Sequence, residues 1–295
     1  MRNRLLSSAL PLALLLAALA GCRHAPVDAP APAAATTPAD DNLNAVLWMQ
    51  ASSEYRAAAA QTWRAAAARL DAALADPGWD ALVPAERGNP ATGLPPAVIV
   101  DVDETVLDNS PYQARLVADG VEYASASWAA WVDERRATPV PGVLEFARAA
   151  QARGVTIVYI SNRTEAMQDA TIANLRAAGL PVAGEAVFLG KGTVVEGCTS
   201  ADSGDKACRR RLAGRDYRVL MQFGDQLGDF MAVEPNTPAA RAALMATHGG
   251  WFGERWWMLP NPSYGDWQPA LFGNDWRLSP VQRREAKHGA LEPAQ

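Results

Sequence analysis

Short runs of apolar residues alternate with longer stretches of helical composition through the middle of the chain. Four runs have the length and composition of buried strands: 97–100, 155–160, 186–189 and 218–223. Three stretches rich in alanine and charged residues have helical composition: 142–153, 164–178 and 228–245. Strands that are apolar throughout are covered on both faces, so this alternation predicts an α/β fold with a parallel sheet flanked by helices. Ligands in such sheets bind at the carboxyl ends of the strands.

A long helical segment is predicted before the sheet. Residues 43–74 are rich in good helix formers and contain neither proline nor glycine, and Pro77-Gly78 ends the run. The large apolar residues follow helical spacing without a regular heptad. The segment is therefore expected to pack against its own domain, and a coiled coil with a partner is the alternative.

The first 21 residues have the pattern of an export signal. Arg2 and Arg4 precede an apolar run at 5–20, which ends in small residues directly before Cys22. An apolar core this short is typical of a signal peptide, since a membrane span needs about 20 residues. A cysteine at this point resembles the bacterial lipoprotein signal, which implies lipidation of Cys22. An ordinary signal peptide with an incidental cysteine is the alternative.

The segment 22–41 contains almost no large apolar residue and is predicted to be a flexible tether. It would join the lipid anchor to a globular domain at 42–277, and the polar residues 278–295 are expected to form a flexible tail. Arg23 stands where an aspartate retains bacterial lipoproteins at the inner membrane. The resemblance therefore implies a lipid-anchored protein of the bacterial cell envelope, at the outer membrane.

Composition excludes several classes of protein. Hydrophobic residues make up 49% of the chain and charged residues 20%, which excludes wholesale disorder. The 27 Lys+Arg and 32 Asp+Glu give a formal charge of −5, without the basic excess of a nucleic-acid-binding protein. Of three histidines, only His248 lies within the predicted domain, so a multi-histidine zinc site and a histidine nucleophile are excluded.

Polar residues that could carry chemistry follow each predicted strand: Asp101 and Asp103, then Ser161 and Arg163, then Lys191, then Asp225 and Asp229. Of two carboxylates two residues apart, one can attack phosphorus and the other can protonate the leaving oxygen. Their mutual repulsion favours a bound divalent cation. Each segment taken alone also has an ordinary interpretation as a turn or a helix cap.

The ordered set of strand-end residues resembles the haloacid-dehalogenase-like phosphotransferase superfamily, most specifically in 101–110 and 224–230. The segments 48–56 and 259–265 narrow the resemblance to the lipoprotein e acid phosphatase and 5′-nucleotidase family, the subfamily IIIB acid phosphatases. The resemblance implies a Rossmann-like parallel sheet flanked by helices, with an N-terminal helical segment and a small helical insert.

The resemblance also implies a nucleophile and a metal site. Asp101 would attack phosphorus, form an aspartyl-phosphate and ligate Mg²⁺. Asp103 would be the general acid and base, and its backbone carbonyl would be a second ligand. Asp225 would be the third ligand from the protein, and Asp229 would contact the ion less directly, through water or a second layer of hydrogen bonds.

Further residues would bind the substrate. By the resemblance, Ser161 would hydrogen-bond the transferring phosphoryl group, Lys191 would neutralise its charge, and Arg163 would be an additional phosphate contact. Aromatic residues at the positions of Trp128 and Tyr264 sandwich a nucleoside base in the family. The alternative for Trp128 is that it packs the insert onto the sheet.

The implied function is a Mg²⁺-dependent phosphomonoesterase (an acid phosphatase) that acts on nucleoside 5′-monophosphates or related nucleotides. Two alternatives remain, a non-catalytic tethered lipoprotein that binds phosphorylated ligands and a phosphotransferase with the same residues. Loss of Asp101 or Asp103 would mark the non-catalytic protein, and both are present. The sequence specifies no oligomeric state.

Cysteine and tryptophan usage yields two further expectations. In an oxidising compartment, with Cys22 lipidated, Cys198 and Cys208 remain as an even pair and are expected to form a disulfide. Closing a loop this short stabilises a fold by roughly 2–3 kcal/mol. The segment 198–215 has no role in the resemblance. Five late tryptophans are expected to be buried in closing strands and loops: 251, 256, 257, 267 and 276.

Overall fold

The computed structural model describes residues 40–198 and 204–294 of the chain. The predicted export signal, the lipidated Cys22 and nearly all of the predicted tether lie outside the described residues. In the described part of the chain, no helix has both the length and the apolar character needed to cross a membrane.

A parallel five-stranded sheet lies at the centre of the fold, in the order β5-β4-β1-β6-β7. The strands are β1 (Pro96–Val100), β2 (Leu107–Asp108), β3 (Thr138–Pro139), β4 (Thr156–Thr164), β5 (Phe188–Lys191), β6 (Arg218–Gly224) and β7 (Trp256–Met258). β2 and β3 form a separate antiparallel ribbon. The helices are α1 (Leu43–Ala51), α2 (Ser53–Ala75), α3 (Ser110–Asp119), α4 (Ser125–Glu134), α5 (Val143–Ala152), α6 (Gln168–Ala177), α7 (Ala207–Asp216), α8 (Pro238–His248), α9 (Trp267–Ala270) and α10 (Pro280–Gly289).

This architecture confirms the predicted α/β fold, with four of the sheet strands near their expected positions. The fifth sheet strand, β7, was not predicted because three residues are too few to show a periodicity. Its Trp256 and Trp257 are buried, as expected for closing strands. Trp267 and Trp276, by contrast, are 39% and 63% exposed, so the expectation of burial was wrong for these two.

The N-terminal helical segment is two helices rather than one. Ser52 separates α1 from α2 with extended backbone angles, although the sequence contains no proline or glycine there. Its hydroxyl accepts a hydrogen bond from the Tyr55 backbone N–H at 3.0 Å and donates to the Trp48 carbonyl at 2.6 Å. One serine side chain therefore ends the first helix and caps the second.

Helix α2 packs on the sheet through Trp63, as predicted for a helix that serves its own domain. The Trp63 ring is 1% exposed and lies 4.4 Å from the Phe223 ring of β6 and 5.1 Å from Phe146 of α5. Gly142, just before α5, has φ +93, and a Cβ there would lie 2.8 Å from the Ala60 Cα. Only glycine permits this close approach of α5 to α2.

The polar C-terminal segment forms a helix, α10, where a flexible tail was expected. Ser279 and Gln282 form a capping box at its start. Arg283 is 9% exposed, pairs with Glu122, and has its guanidinium 5.6 Å from the Trp276 ring. The segment orders because a guanidinium can cover an aromatic face and pair with a carboxylate, which polarity alone does not reveal.

Replacing Trp63 with alanine should destabilise the domain by about 3–5 kcal/mol, because the ring fills the space between α2, α5 and the sheet. The free energy of unfolding in urea measures this. Leu47→Ala on α1 is the control, because Leu47 is 48% exposed and its loss should cost within about 0.5 kcal/mol. Equal losses would contradict this account of the core.

Candidate active site

The predicted acids meet at one edge of the sheet because β1 lies between β4 and β6. Asp101 follows β1 directly, and its backbone N–H donates to the Phe223 carbonyl of β6 at 2.9 Å. Ser161 lies within β4 on the other side of β1, and Asp225 follows β6. Three adjacent strand ends therefore supply one site, as expected for a parallel sheet.

Three carboxylates of this site form a cluster that could hold a metal ion. Asp101, Asp225 and Asp229 each offer an oxygen within 4.8 Å of the others. Backbone N–H groups of Asp225 and Gln226 donate to Asp229 Oδ2 at 3.0 and 2.9 Å. A Cβ on Gly224 would lie 2.2 Å from the Asp229 Cβ, so glycine is required there. Clustered carboxylate oxygens suit a hard divalent cation.

The electrostatics of the cluster also fit a cation. Burial raises the pKa of Asp101 to about 7, an effect that Lys206 opposes and the charges of Asp229 and Asp103 increase. Burial likewise raises the pKa of Asp225 well above its ordinary value, and Asp229 and Asp101 add to the effect. Each of these acids makes ionisation of the others less favourable. A bound cation would offset this repulsion and stabilise them as carboxylates.

The lysine of the site is Lys206, and the assignment of Lys191 needs correction. Lys206 precedes α7, is buried, contacts Asp101 and donates to Asp229 Oδ1 at 2.6 Å. Burial alone would lower the pKa of this ammonium, but the two carboxylates raise it above its ordinary value. Lys191 ends the edge strand β5, two strands from β1, and its side chain has no hydrogen bond or ion pair with any described residue.

Two arginines of α7 fasten this helix to the strand ends. Arg209 donates to the Ser161 carbonyl of β4. Arg210 pairs with Glu86 through two hydrogen bonds of 2.7 and 2.6 Å, and donates to the Gly228 carbonyl at 2.6 Å. Arg210 is fully buried, so the pair with Glu86 holds a charge that would be costly alone. The segment 198–215, which had no role in the resemblance, thus contains the lysine of the site, Lys206.

Cys198 and Cys208 form a disulfide, which joins α7 to the loop after β5. Cys208 is the second residue of α7 and lies next to Arg209. The bond therefore fastens the same end of the helix at which Lys206 enters the site.

Asp103 lies beside Asp101 and is held by β4 and the loop after β1. Arg163 donates from Nη2 and Nε to Asp103 Oδ1 at 2.8 and 3.0 Å, and Asn109 Nδ2 donates to the same oxygen at 2.9 Å. The Ser161 hydroxyl is 3.4 Å from Asp103 Oδ2. Arg163 was expected to contact phosphate, but its side chain is buried and directed to Asp103 instead.

The two aromatic residues predicted to bind substrate, Trp128 and Tyr264, contact different residues near the acids. Trp128 of α4 is half-buried and lies 5.4 Å from the Arg163 guanidinium and 5.1 Å from the Tyr112 ring. The Tyr264 hydroxyl donates to Glu104, the residue after Asp103. Tyr264 thus contacts the loop after β1 directly, whereas Trp128 adjoins it through Arg163, which binds Asp103.

Besides Lys206, two buried residues near the acids were not predicted from the sequence, Glu104 and Tyr55. Glu104 is fully buried with φ +57, accepts a hydrogen bond from the Asn109 backbone N–H at 2.8 Å, and binds Tyr264. Burial, increased by the Asp103 charge, raises the pKa of Glu104 well above its ordinary value. The Tyr55 hydroxyl of α2 is buried near Glu104 and has no hydrogen-bond partner among the described residues. An acid following an Asp-x-Asp pair was the available signal for Glu104.

The chain matches a known protein family over most of its length. Residues 15–267 match the acid phosphatases of the HAD superfamily, subfamily IIIB. The chain belongs to this acid phosphatase family. A solved structure agrees, since the class C acid phosphatase from Bacillus anthracis with tungstate bound has a TM-score of 0.75 and 33% identity. That similarity covers 86% of this chain and 98% of the Bacillus anthracis chain.

Plant proteins also resemble this acid phosphatase family member. The stem 28 kDa glycoprotein of Glycine max is 29% identical over 167 residues, which cover 56% of this chain and 58% of that protein. Vegetative storage protein 1 of Arabidopsis thaliana is 24% identical over 167 residues, 56% of this chain and 54% of that protein. The chain thus spans little more than half the length of these curated relatives.

Lys206→Met should lower kcat/KM for a phosphomonoester by about two to three orders of magnitude, because it removes the fixed charge beside Asp101. Lys191→Met, at the distant edge strand, should leave kcat/KM nearly unchanged. Steady-state kinetics with both variants checks this, and thermal melting confirms that each is folded. A large loss confined to Lys191→Met would restore the original assignment.

Proposed function

We propose that the protein is a Mg²⁺-dependent phosphomonoesterase that hydrolyses nucleoside 5′-monophosphates through an aspartyl-phosphate. The observation that carries the proposal is the pair Asp101 and Asp103 at the end of the central strand, with Lys206 against the first of them. Nucleophile, proton donor and fixed positive charge then lie within one buried site, which is what phosphoryl transfer needs.

In this mechanism, a carboxylate oxygen of Asp101 bonds to phosphorus while the bond to the leaving oxygen breaks. Asp103 gives its proton to that oxygen, so the alcohol leaves neutral. Asp103 then takes a proton from a water molecule as the water attacks phosphorus, which releases phosphate and regenerates Asp101. The Lys206 ammonium stabilises the negative charge of the transferring group throughout.

The carboxylates of Asp101 and Asp225 and the backbone carbonyl of Asp103 would hold Mg²⁺. Both oxygens of Asp229 already have partners, since Oδ1 accepts from Lys206 and Oδ2 from two backbone N–H groups. Asp229 therefore suits a contact through water. When bound, the ion supplies positive charge to the phosphoryl oxygens and to the clustered acids.

One observation supports a phosphate-binding site, and a second supports a nucleotide as the substrate. The Bacillus anthracis relative binds tungstate, a tetrahedral oxyanion with the shape of phosphate. In this chain, Trp128 and Tyr264 lie on elements that flank the loop of Asp103, where the leaving group would extend. Aromatic faces stack on any nucleobase, so the site would select nucleotides broadly rather than one base.

The N-terminal sequence pattern supports a location for this activity. Lipidation of Cys22 would anchor the enzyme in a bacterial cell envelope, and Arg23 favours the outer membrane. The segment 22–41 would then hold the domain away from the lipid surface.

The name of the Arabidopsis thaliana relative, a vegetative storage protein, favours a second candidate, a non-catalytic storage protein. The presence of both Asp101 and Asp103 in this chain argues against it. A phosphotransferase would use the same residues and would pass the phosphoryl group from Asp101 to an added alcohol instead of water.

Asp101→Asn should reduce phosphate release from AMP by several powers of ten, because it removes the covalent nucleophile. EDTA should abolish the wild-type activity, and added Mg²⁺ should restore it. The exposed Asp216→Asn is the control and should keep full activity. If Asp101→Asn keeps a tenth of the activity, the aspartyl-phosphate mechanism is wrong, and a wild type that binds AMP without turnover would support the storage alternative.

Trp128→Ala should raise the KM for AMP by roughly 5- to 150-fold, the equivalent of about 1–3 kcal/mol of lost base stacking. The KM for a small aryl phosphate should change far less. Trp276→Ala is the control, because Trp276 is exposed on the C-terminal segment. Equal increases for both substrates would show that Trp128 packs the insert and does not contact the base.

A further inference from the structure

Arg163 is committed to protein partners at every nitrogen of its guanidinium. Nε and Nη2 donate to Asp103 Oδ1 at 3.0 and 2.8 Å, Nη1 donates to Thr171 at 3.2 Å, and Nη2 also lies 3.3 Å from Asn109 Oδ1. The residue is 1% exposed. Four of its five N–H groups have partners among the described residues, and the side chain is almost completely enclosed. This distinguishes it from an arginine that binds phosphate, which directs a fork of free donors at its ligand.

The neighbouring Asn109 makes the position of Asp103 more rigid. Its Nδ2 donates to Asp103 Oδ1 at 2.9 Å, and its Oδ1 accepts from the buried Trp131 indole N–H at 2.8 Å. The amide is therefore fixed in orientation by Trp131 and Arg163 on its oxygen side. Asp103 is therefore bound by two side chains, Arg163 and Asn109, whose own orientations are fixed by further hydrogen bonds.

The two oxygens of Asp103 consequently differ. Oδ1 receives three N–H donors, two from Arg163 and one from Asn109. Among the described residues, Oδ2 has only the Ser161 hydroxyl, at 3.4 Å. A proton on Oδ1 would face three donors and no acceptor, so the exchangeable proton of this carboxyl belongs on Oδ2.

We propose that Arg163 is a positioning residue for proton transfer: it fixes the Asp103 carboxyl through Oδ1, so that Oδ2 delivers the proton to the leaving oxygen. In the first step the phosphorus to leaving-oxygen bond breaks, the bond to Asp101 forms, and the proton moves from Oδ2 to the departing oxygen. In the second step Oδ2 recovers a proton from the attacking water. This inference rests on the proposed function.

Trp128 extends the arrangement toward the substrate. The Arg163 guanidinium lies 5.4 Å from the centre of the Trp128 ring and also binds Asp103. The residue that orients the acid is therefore also in contact with the aromatic ring proposed to bind the leaving group. Arg163 therefore orients the proton donor, Asp103, and contacts the ring proposed to bind the leaving group, Trp128.

The test compares substrates that differ in their need for a proton. Phenyl phosphate has a strongly basic leaving group, whereas p-nitrophenyl phosphate has a weakly basic one that departs without much help. Arg163→Met should lower kcat/KM for phenyl phosphate by about 100-fold or more, the contribution of general acid catalysis, and for p-nitrophenyl phosphate much less. Arg163→Lys keeps the charge without the forked geometry and should show an intermediate loss with the same preference.

Arg218→Met is the matched control. Arg218 is also buried, but it begins β6 at the opposite end of the sheet and donates to carbonyls at the end of α2. Its loss should lower the melting temperature without any dependence on the leaving group. Equal losses on both substrates in the Arg163 variants would assign Arg163 a merely structural role and overturn the inference.

Further measurements separate this inference from the proposed function. Asp103→Asn should show the same dependence on the leaving group as Arg163→Met, whereas Asp101→Asn should abolish turnover of both substrates. Substantial activity in Asp101→Asn would refute the proposed function itself. An inhibition constant for inorganic phosphate that rises strongly in Arg163→Lys would show a direct phosphate contact and overturn the positioning role. If Arg163→Met does not fold, the Arg163→Lys ratio decides, and a ratio equal to that of wild type overturns the inference.

Discussion

The concentration of carboxylates at the carboxyl edge of the sheet is the constraint on which the rest of the structure depends. Asp101 and Asp229 are almost completely buried, and Asp103 and Asp225 lie against them. Buried charges are costly unless paired, so the surrounding chain must supply cations and N–H donors. Lys206 pairs with two of these acids and Arg163 with a third.

This requirement explains why α7 lies where it does. Lys206, directly before α7, and Arg209 and Arg210 in its first turn face the strand ends, and each contacts a carboxylate or carbonyl oxygen. The pair of Arg210 with Glu86 extends the ionic contacts to the loop before β1, and the disulfide of Cys208 fastens the same turn. A segment with low apolar content is thus kept in place by charge and by a covalent link, in addition to the apolar contacts of Leu212 and Ala213.

The N-terminal helices belong to the same arrangement. α2 is packed on the sheet through Trp63, and it carries the buried Tyr55 to the neighbourhood of Glu104. Glu104 in turn joins the loop after β1 to Tyr264, which comes from the chain beyond β7. Elements from both ends of the domain therefore adjoin the acids, and the site depends on the complete fold rather than on the central strands alone.

The sequence by itself determined the features that depend on local order. Buried strands show as continuous apolar runs, and the residues that follow them directly, Asp101, Asp103 and Asp225, must lie at the carboxyl edge of a parallel sheet. The pair Cys198 and Cys208 could be expected because the cysteine count left no other partner once Cys22 was set aside. These inferences need only the neighbours of a residue along the chain.

The tertiary structure alone decided which cation serves the acids and what Arg163 does. Lys191 lies at the end of a strand as the acids do, but that strand, β5, is at the edge of the sheet. Lys206, directly before α7, contacts Asp101 instead. Arg163 extends toward Asp103, 60 residues earlier in sequence, and Tyr264 reaches Glu104 over 160 residues. Such partners are set by strand order and by the direction of buried side chains, which arise only when distant segments pack together.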